Sequence, residues 1–252
     1  MTLAHRIDGD GPPLLLLNGG LMSMAAWQPY ADALSTRYRV IRCDFRGQML
    51  TPGPPFAASW EEHASDVVSL LDALSVERAY VVGVSFGAEV AMLLAALYPA
   101  RVSRLAVISA TDFTTEAMRA DAAAGWGRVK DDPAELFRHV ARKTWSAAWL
   151  AAQPPDFIES RARQMSALPP QFFAGAEAII RLLDTLDLRA HLAKIVAPTL
   201  VIGGANDAVF PIEHSRAIAA AIPGARLEVF ADVGHGLLFE CSKRVIALLT
   251  EV

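Results

Sequence analysis

The stretch Gly83-Val84-Ser85-Phe86-Gly87 limits what this chain can fold into more than any other. It follows the apolar run Ala79-Tyr80-Val81-Val82 and precedes a helix-favouring segment, Ala88 to Leu97. A Gly-x-Ser-x-Gly turn between strand and helix is so tight that a Cβ at either glycine would strike neighbouring chain, and it leaves the serine projecting from the sheet edge. Ser85 then stands at a helix N-terminus, where unpaired N–H groups favour developing negative charge. A bare Gly/Ser turn has no chemical importance. The flanking strand and helix are what make Ser85 a candidate nucleophile.

Such a turn predicts an acid after a later strand and a histidine last along the chain. Pro198 to Gly204 reads as a buried strand running into a glycine turn, with Ala205-Asn206-Asp207 at its carboxyl end. Leu227 to Phe230 reads as the next strand, followed by Gly234-His235-Gly236. Open α/β sheets place their sites at the carboxyl ends of strands, so three strand ends offer Ser85, Asp207 and His235 to one site. His235 would take the Ser85 proton and later return it to the leaving group, while Asp207 would hold the imidazole tautomer. Asp112, after Ser109-Ala110-Thr111, is the rival acid. Asp232 and Glu240 flank the histidine as a turn residue and a helix-face or supporting carboxylate. The N–H of Phe86, next after the nucleophile, is one expected oxyanion donor.

With these residues in place the chain resembles the α/β-hydrolase superfamily over nearly its whole length. Leu14 to Leu17 followed by Asn18-Gly19-Gly20 stands where the family has a strand entering a His-Gly oxyanion loop. Val40 to Gly47 stands where many members have a strand ending in Asp-x-Arg-Gly, and Gly204 to Asp207 and Gly234-His235 complete the set. The resemblance implies a mostly parallel central sheet with helices on both faces and a helical cap, and it points to Gly20 as the second oxyanion donor, with Leu21 one register away. A serine nucleophile disfavours the aspartate-nucleophile branches. Two positions depart from the pattern: Asn18 replaces histidine, and Gln48-Met49-Leu50 replaces the usual continuation after Arg46-Gly47. Asparagine at the first place also resembles enol-lactonases and acyl-transferring synthases. Asp44 and Arg46 are expected to pair and fix the loop after their strand.

A chain of 252 residues, 53% hydrophobic with mean hydropathy +0.30, suffices for one α/β domain with a well-buried sheet. No apolar stretch approaches the roughly 18 to 20 residues that span a bilayer, and Met1 to Asp8 lacks the apolar segment of a signal peptide. A cytoplasmic location and no membrane partner are therefore expected. Net charge −4 leaves no basic footprint for nucleic acid. Cys43 and Cys241 lack the paired spacing of a zinc site and read as free thiols, and the six histidines form no metal motif, so neither metal nor cofactor is implied.

Apolar runs alternate with helical periodicity, the pattern of a parallel sheet covered on both faces. Strands are expected near Leu14–Leu17, Arg39–Cys43, Tyr80–Val84, Leu105–Ser109, Thr199–Ile202 and Leu227–Phe230, with a short edge strand near His5–Ile7. Helices are expected over Ala25–Ser35, Trp60–Leu74, Phe86–Tyr98, Glu213–Ala221 and Leu237–Thr250. Pro52, Gly53, Pro54 and Pro55 mark a loop. From 111 to 188 no strand-like run appears, and Pro133, Pro154-Pro155 and Pro169-Pro170 divide it into four or five short helices. The expected organisation is a core of residues 1–110 and 189–252 with a cap of residues 111–188 that adds little to the sheet core.

The cap is rich in large apolar groups: Phe113, Met118, Trp126, Phe137, Trp145, Trp149, Phe157, Met165, Phe172 and Phe173. Most must form its own small core, and a minority would face Ser85 and favour an apolar acyl or ring group. Arg138, Arg142, Lys143 and Arg161 read as solvated cations or a carboxylate clamp. The expected activity is cofactor-independent cleavage of a small or medium ester, lactone or thioester through an acyl-enzyme. Acyl transfer, carbon–carbon cleavage on the same residues and a non-catalytic receptor are the alternatives. A small-molecule substrate is the expected partner, with homodimerisation left open.

Overall fold

The computed structural model describes residues 3–51, 54–57, 59–129 and 132–251, and over 125–129 the backbone alone. Pro52 and Gly53 of the expected loop, and the side chain of Trp126, lie outside the described residues. The chain opens with β1 (His5–Asp8) and β2 (Pro13–Leu17), then a 3₁₀ turn (Met24–Trp27) leading into α1 (Gln28–Leu34) and β3 (Arg39–Cys43). Next come α2 (Trp60–Ala73), β4 (Ala79–Val84), α3 (Phe86–Leu97) and β5 (Val102–Ile108). The Ser59 hydroxyl accepts from Glu62 N–H at 3.2 Å and starts α2 as an N-cap.

Among the described residues, five helices follow without a strand: α4 (Glu116–Val129), α5 (Pro133–Thr144), α6 (Ala147–Ala151), α7 (Phe157–Ser166) and α8 (Pro170–Leu183). Pro133 and Pro170 open α5 and α8, where a missing N–H costs nothing, and Asp132 and Ser146 cap α5 and α6. The chain ends with α9 (Arg189–Leu192), β6 (Thr199–Gly204), α10 (Ile212–Ala221), β7 (Arg226–Phe230), α11 (Leu237–Glu240) and α12 (Ser242–Thr250). The expected single helix Leu237–Thr250 is thus two, broken at Cys241, whose φ of −134° is not helical.

The seven strands form one sheet in the order β1-β3-β2-β4-β5-β6-β7. Among the described residues, the β1–β3 pairing is the only antiparallel one within this sheet. Alternation along each strand divides the core between the two faces. Leu15, Leu17, Val81, Leu105, Val107 and Val201 pack with α2 and α3. Leu14, Leu16, Val82, Ala106, Ile108 and Ile202 pack with α1 and α12. The chain leaves β2 toward β3 on one side and returns to β4 on the other, so strand order reverses between β2 and β4. A crevice opens outside the carboxyl ends of strands at such a switch point. The Asn18–Leu21 loop and Ser85 both emerge there.

The five-helix insertion is not independent of the sheet. Ile179 and Leu182 of α8, with Leu186 and Leu188 behind it, belong to the α2–α3 core, contrary to the expectation that this segment adds little to it. An isolated bridge, Phe113 to Asp187, closes the insertion at its base. Among the described residues no helix is long and apolar enough to cross a membrane.

Candidate active site

Ser85 sits between β4 and α3 with φ 51° and ψ −128°, a conformation that costs a non-glycine residue about 1–3 kcal/mol. The surroundings impose it. A Cβ on Gly83 would lie 2.2 Å from the Gly87 carbonyl oxygen, and one on Gly87 would lie 2.4 Å from that of Leu17. Ser85 N–H donates to the Ile108 carbonyl at 2.9 Å, while its own carbonyl accepts from Ala88 and Glu89. The Phe86 N–H, first in α3, has no preceding turn to donate to. The Phe86 ring is wedged by Phe45, Trp60 and His63, with ring centroids 4.9 to 5.4 Å away, which fixes the start of α3.

Asp207 and His235 are brought together. His235 Nδ1 lies 2.8 Å from Asp207 Oδ2, and the other carboxylate oxygen accepts from Val209 and Phe210 N–H at 2.8 Å each. Both oxygens of Asp207 are engaged, so it holds the imidazole from a fixed position. Phe210 meets the His235 ring edge to face at 5.2 Å. The rival acid is occupied elsewhere: Asp112 Oδ1 is 2.7 Å from Nδ1 of His214, on α10.

The main chain around His235 is held on both sides. Gly236 N–H donates to the Thr144 carbonyl at 2.6 Å, Gly234 N–H to Glu240 Oε1 at 3.2 Å, and the Ser109 hydroxyl to the His235 carbonyl at 3.0 Å. Ser109 follows Ile108, to which the Ser85 N–H is bonded, so the end of β5 ties the Ser85 turn to the His235 loop. Glu240 also accepts from Ser146 N–H and hydroxyl at 3.0 and 2.5 Å, joining this loop to α6 of the insertion. Ser109 carries φ 49°, a backbone state that no sequence pattern announces.

Gly19 and Gly20 border the serine. A Cβ on Gly19 would lie 3.6 Å from Ser85 Cβ, and one on Gly20 would lie 3.9 Å from Phe86 Cβ and 3.3 Å from Ile179 Cγ2 of α8. The expected Asp44–Arg46 pair does not form. Arg46 grips Asp66 of α2 with two nitrogens, because the Asp44 carboxylate is already filled by Asn18 Nδ2 and by Met24 and Leu50 N–H.

Four residues beyond Ser85, Glu89 is fully buried in α3 and accepts from Thr111 N–H at 2.9 Å. Burial first, and the Asp207 carboxylate in addition, hold its carboxyl well above the usual range. The sequence reading missed it. The available signal was a lone charge in the otherwise apolar helix Phe86–Leu97. Of the basic residues singled out in the insertion, Arg138 pairs with Glu135 and Glu159, and Lys143 with Asp121. Among the described residues no group of three or more His, Cys, Asp or Glu is placed to hold a metal ion.

This fold and this arrangement of strand-end residues define a class. Residues 12–241 match the alpha/beta hydrolase fold family, and the chain belongs to it. A relative named "Putative carbamate hydrolase RutD" from Caulobacter segnis is 30% identical over 246 residues, covering 90% of this chain and 85% of that protein. The enol-lactonase from Burkholderia xenovorans LB400 superimposes with a TM-score of 0.84 at 28% identity, over 99% of this chain and 96% of its own. A thermophilic esterase from Thermogutta terrifontis gives 0.83 at 26%, over 98% and 91%. The chain is accordingly an enzyme of this class, a hydrolase.

Proposed function

We propose that this hydrolase cleaves a small or medium carboxylic ester, lactone or thioester through an acyl-enzyme on Ser85. The observation that carries the reading is the Asp207–His235 hydrogen bond of 2.8 Å, made by a carboxylate whose other oxygen is filled by two backbone N–H groups. Nδ1 is committed to Asp207, so Nε2 is the nitrogen free to take a proton. Ser85 Oγ attacks the substrate carbonyl carbon as His235 removes its proton, and the carbonyl oxygen becomes an oxyanion held by the Gly20 and Phe86 N–H groups. Collapse expels the alcohol, thiol or ring oxygen, which receives the proton from His235. Water, deprotonated by His235, then attacks the acyl-enzyme and frees the acid and Ser85.

Residues 111–188 act in this reading as a cap over Ser85. Ile179 against the Gly20 loop, and the Trp145 ring against Gly236, support that placement. The substrate carries an apolar acyl or ring group, and the enzyme works in the cytoplasm without a cofactor. The names of the relatives favour carbonyl cleavage: a lactonase, an esterase and a carbamate hydrolase by name.

The test is turnover of a panel of short to medium esters, lactones and thioesters by wild type and Ser85→Ala. At least one class is expected to be hydrolysed, with kcat lower by about 10⁴ to 10⁶ in the variant. A folded Ser85→Ala protein with wild-type turnover would defeat the proposal.

A further inference from the structure

Gln48 is 1% exposed, and a buried amide is costly unless its hydrogen bonds are made. All of them are. Oε1 accepts from Asn18 Nδ2 at 2.9 Å and Phe45 N–H at 3.0 Å, and Nε2 donates to the Gly19 carbonyl at 2.8 Å, with the Gly20 carbonyl at 3.4 Å. Its orientation is forced from outside. Trp27 Nε1–H can only donate, and it donates to Asn18 Oδ1 at 3.0 Å. Asn18 Nδ2 therefore faces the Asp44 carboxylate and Gln48 Oε1 at 2.9 Å each, which turns the Gln48 amino group toward Gly19. A flipped Gln48 would set its oxygen against two carbonyl oxygens. The two places where the chain departs from the family pattern are thus partners in one network.

We infer that Gln48 is a positioning residue for the oxyanion hole. The inference rests on the reading of Gly20 N–H as an oxyanion donor. A trans peptide is planar, with its C=O and the following N–H pointing in opposite directions. Holding the Gly19 carbonyl toward Gln48 therefore aims the Gly20 N–H the other way. Met22 N–H, at 3.1 Å, is the second donor to that carbonyl. Glycine peptides rotate more freely than any others, so a Gly-Gly oxyanion loop needs an external clamp to present its donor before the charge develops. Gly47, beside Gln48, has φ 87° and lies so close to Gly175 of α8 that a Cβ on it would fall 2.7 Å from the Gly175 Cα. The turn carrying the clamp is thereby wedged between α8 and the loop it holds.

Gln48→Met keeps length and apolar bulk but removes every side-chain hydrogen bond. Measured on p-nitrophenyl acetate, it is expected to lower kcat by about 10- to 100-fold, below the loss for deleting an oxyanion donor, with KM within about twofold. Binding of octyl trifluoromethyl ketone, which forms an oxyanion on the nucleophile, should weaken by the same factor as kcat/KM, while the fluorophosphonate active-site titre stays at one per chain. A merely structural role would lower titre and melting temperature without that parallel. Unchanged kcat and ketone binding in a folded, fully titrating Gln48→Met would overturn the inference. If Gln48→Met does not fold, Gln48→Asn, one methylene short of Gly19, should show the same split at smaller size, and wild-type values there would overturn it equally. A wild type that neither titrates nor hydrolyses any ester defeats the underlying reading instead.

Discussion

Asp207 and Asp112 follow neighbouring strands, and each holds a histidine nitrogen at hydrogen-bond distance, at 2.8 and 2.7 Å. Their expected consequences differ, because His235 lies on the loop tied through β5 to the Ser85 turn. Asp207→Asn should leave the fold intact and lower kcat by about 10⁴, since an amide stabilises the wrong imidazole tautomer. Asp112→Asn should change kcat less than tenfold, and the opposite ranking would move the acid. Glu89 gives a second prediction at this scale. Its folded pKa is raised, so its favourable contribution is full below the unfolded value of 4.5 and is lost as pH rises through the folded value. Glu89→Gln does not titrate, so its unfolding free energy relative to wild type should improve as pH rises above 4.5. A pH-independent difference would mean that Glu89 is not held neutral. Ser85, Asp207 and His235 stood out as candidates because they follow β4, β6 and β7 beside turn residues in a fixed order along the chain. Gln48 was visible only as a departure from a pattern. Its bond to Gly19 joins residues 29 positions apart, a pairing that no local pattern encodes.

At the scale of elements, α2 does more than cover the sheet. His63 on α2 meets Phe45 and Phe86 edge to face, and burial lowers its pKa from 6.5 to about 4. Between these values the unfolded chain binds a proton that the folded chain refuses. Stability is therefore full above pH 6.5 and falls by about 3 kcal/mol as pH drops toward 4. Replacing the ring by His63→Phe keeps the aromatic contacts and should remove that part of the acid loss, as measured by urea unfolding at pH 7 and pH 4. Equal acid loss in both proteins would contradict the assignment. The strands were legible to within a few residues, because parallel strands buried on both faces read as unbroken apolar runs. The break at Cys241 and the 3₁₀ turn at Met24–Trp27 were not, since apolar periodicity continues across both. The Asp44–Arg46 pair failed for a related reason. Adjacent charges look like partners in sequence, while the fold brings Asp66 to Arg46 from the helix that follows.

Over the whole molecule, the proposed cap is anchored at two places. α8 reaches the Gly20 loop through Ile179 and the sheet core through Leu182, and α6 is joined to the histidine loop through Ser146 and Glu240. Proline spacing made the insertion legible, but its anchoring depends on which faces of its helices turn inward. A cap that selects by apolar burial should raise kcat/KM by about 0.8 kcal/mol, close to fourfold, for each acyl CH₂ added until the pocket fills, and lower it thereafter. A profile without an optimum would contradict this role.

The most direct test of the central claim is intact-mass analysis after reaction with a fluorophosphonate, followed by peptide mapping. The account predicts a single adduct per chain on the peptide containing Ser85, absent from Ser85→Ala and slowed by orders of magnitude in His235→Ala. An adduct on another residue, or undiminished labelling of folded Ser85→Ala, would contradict it.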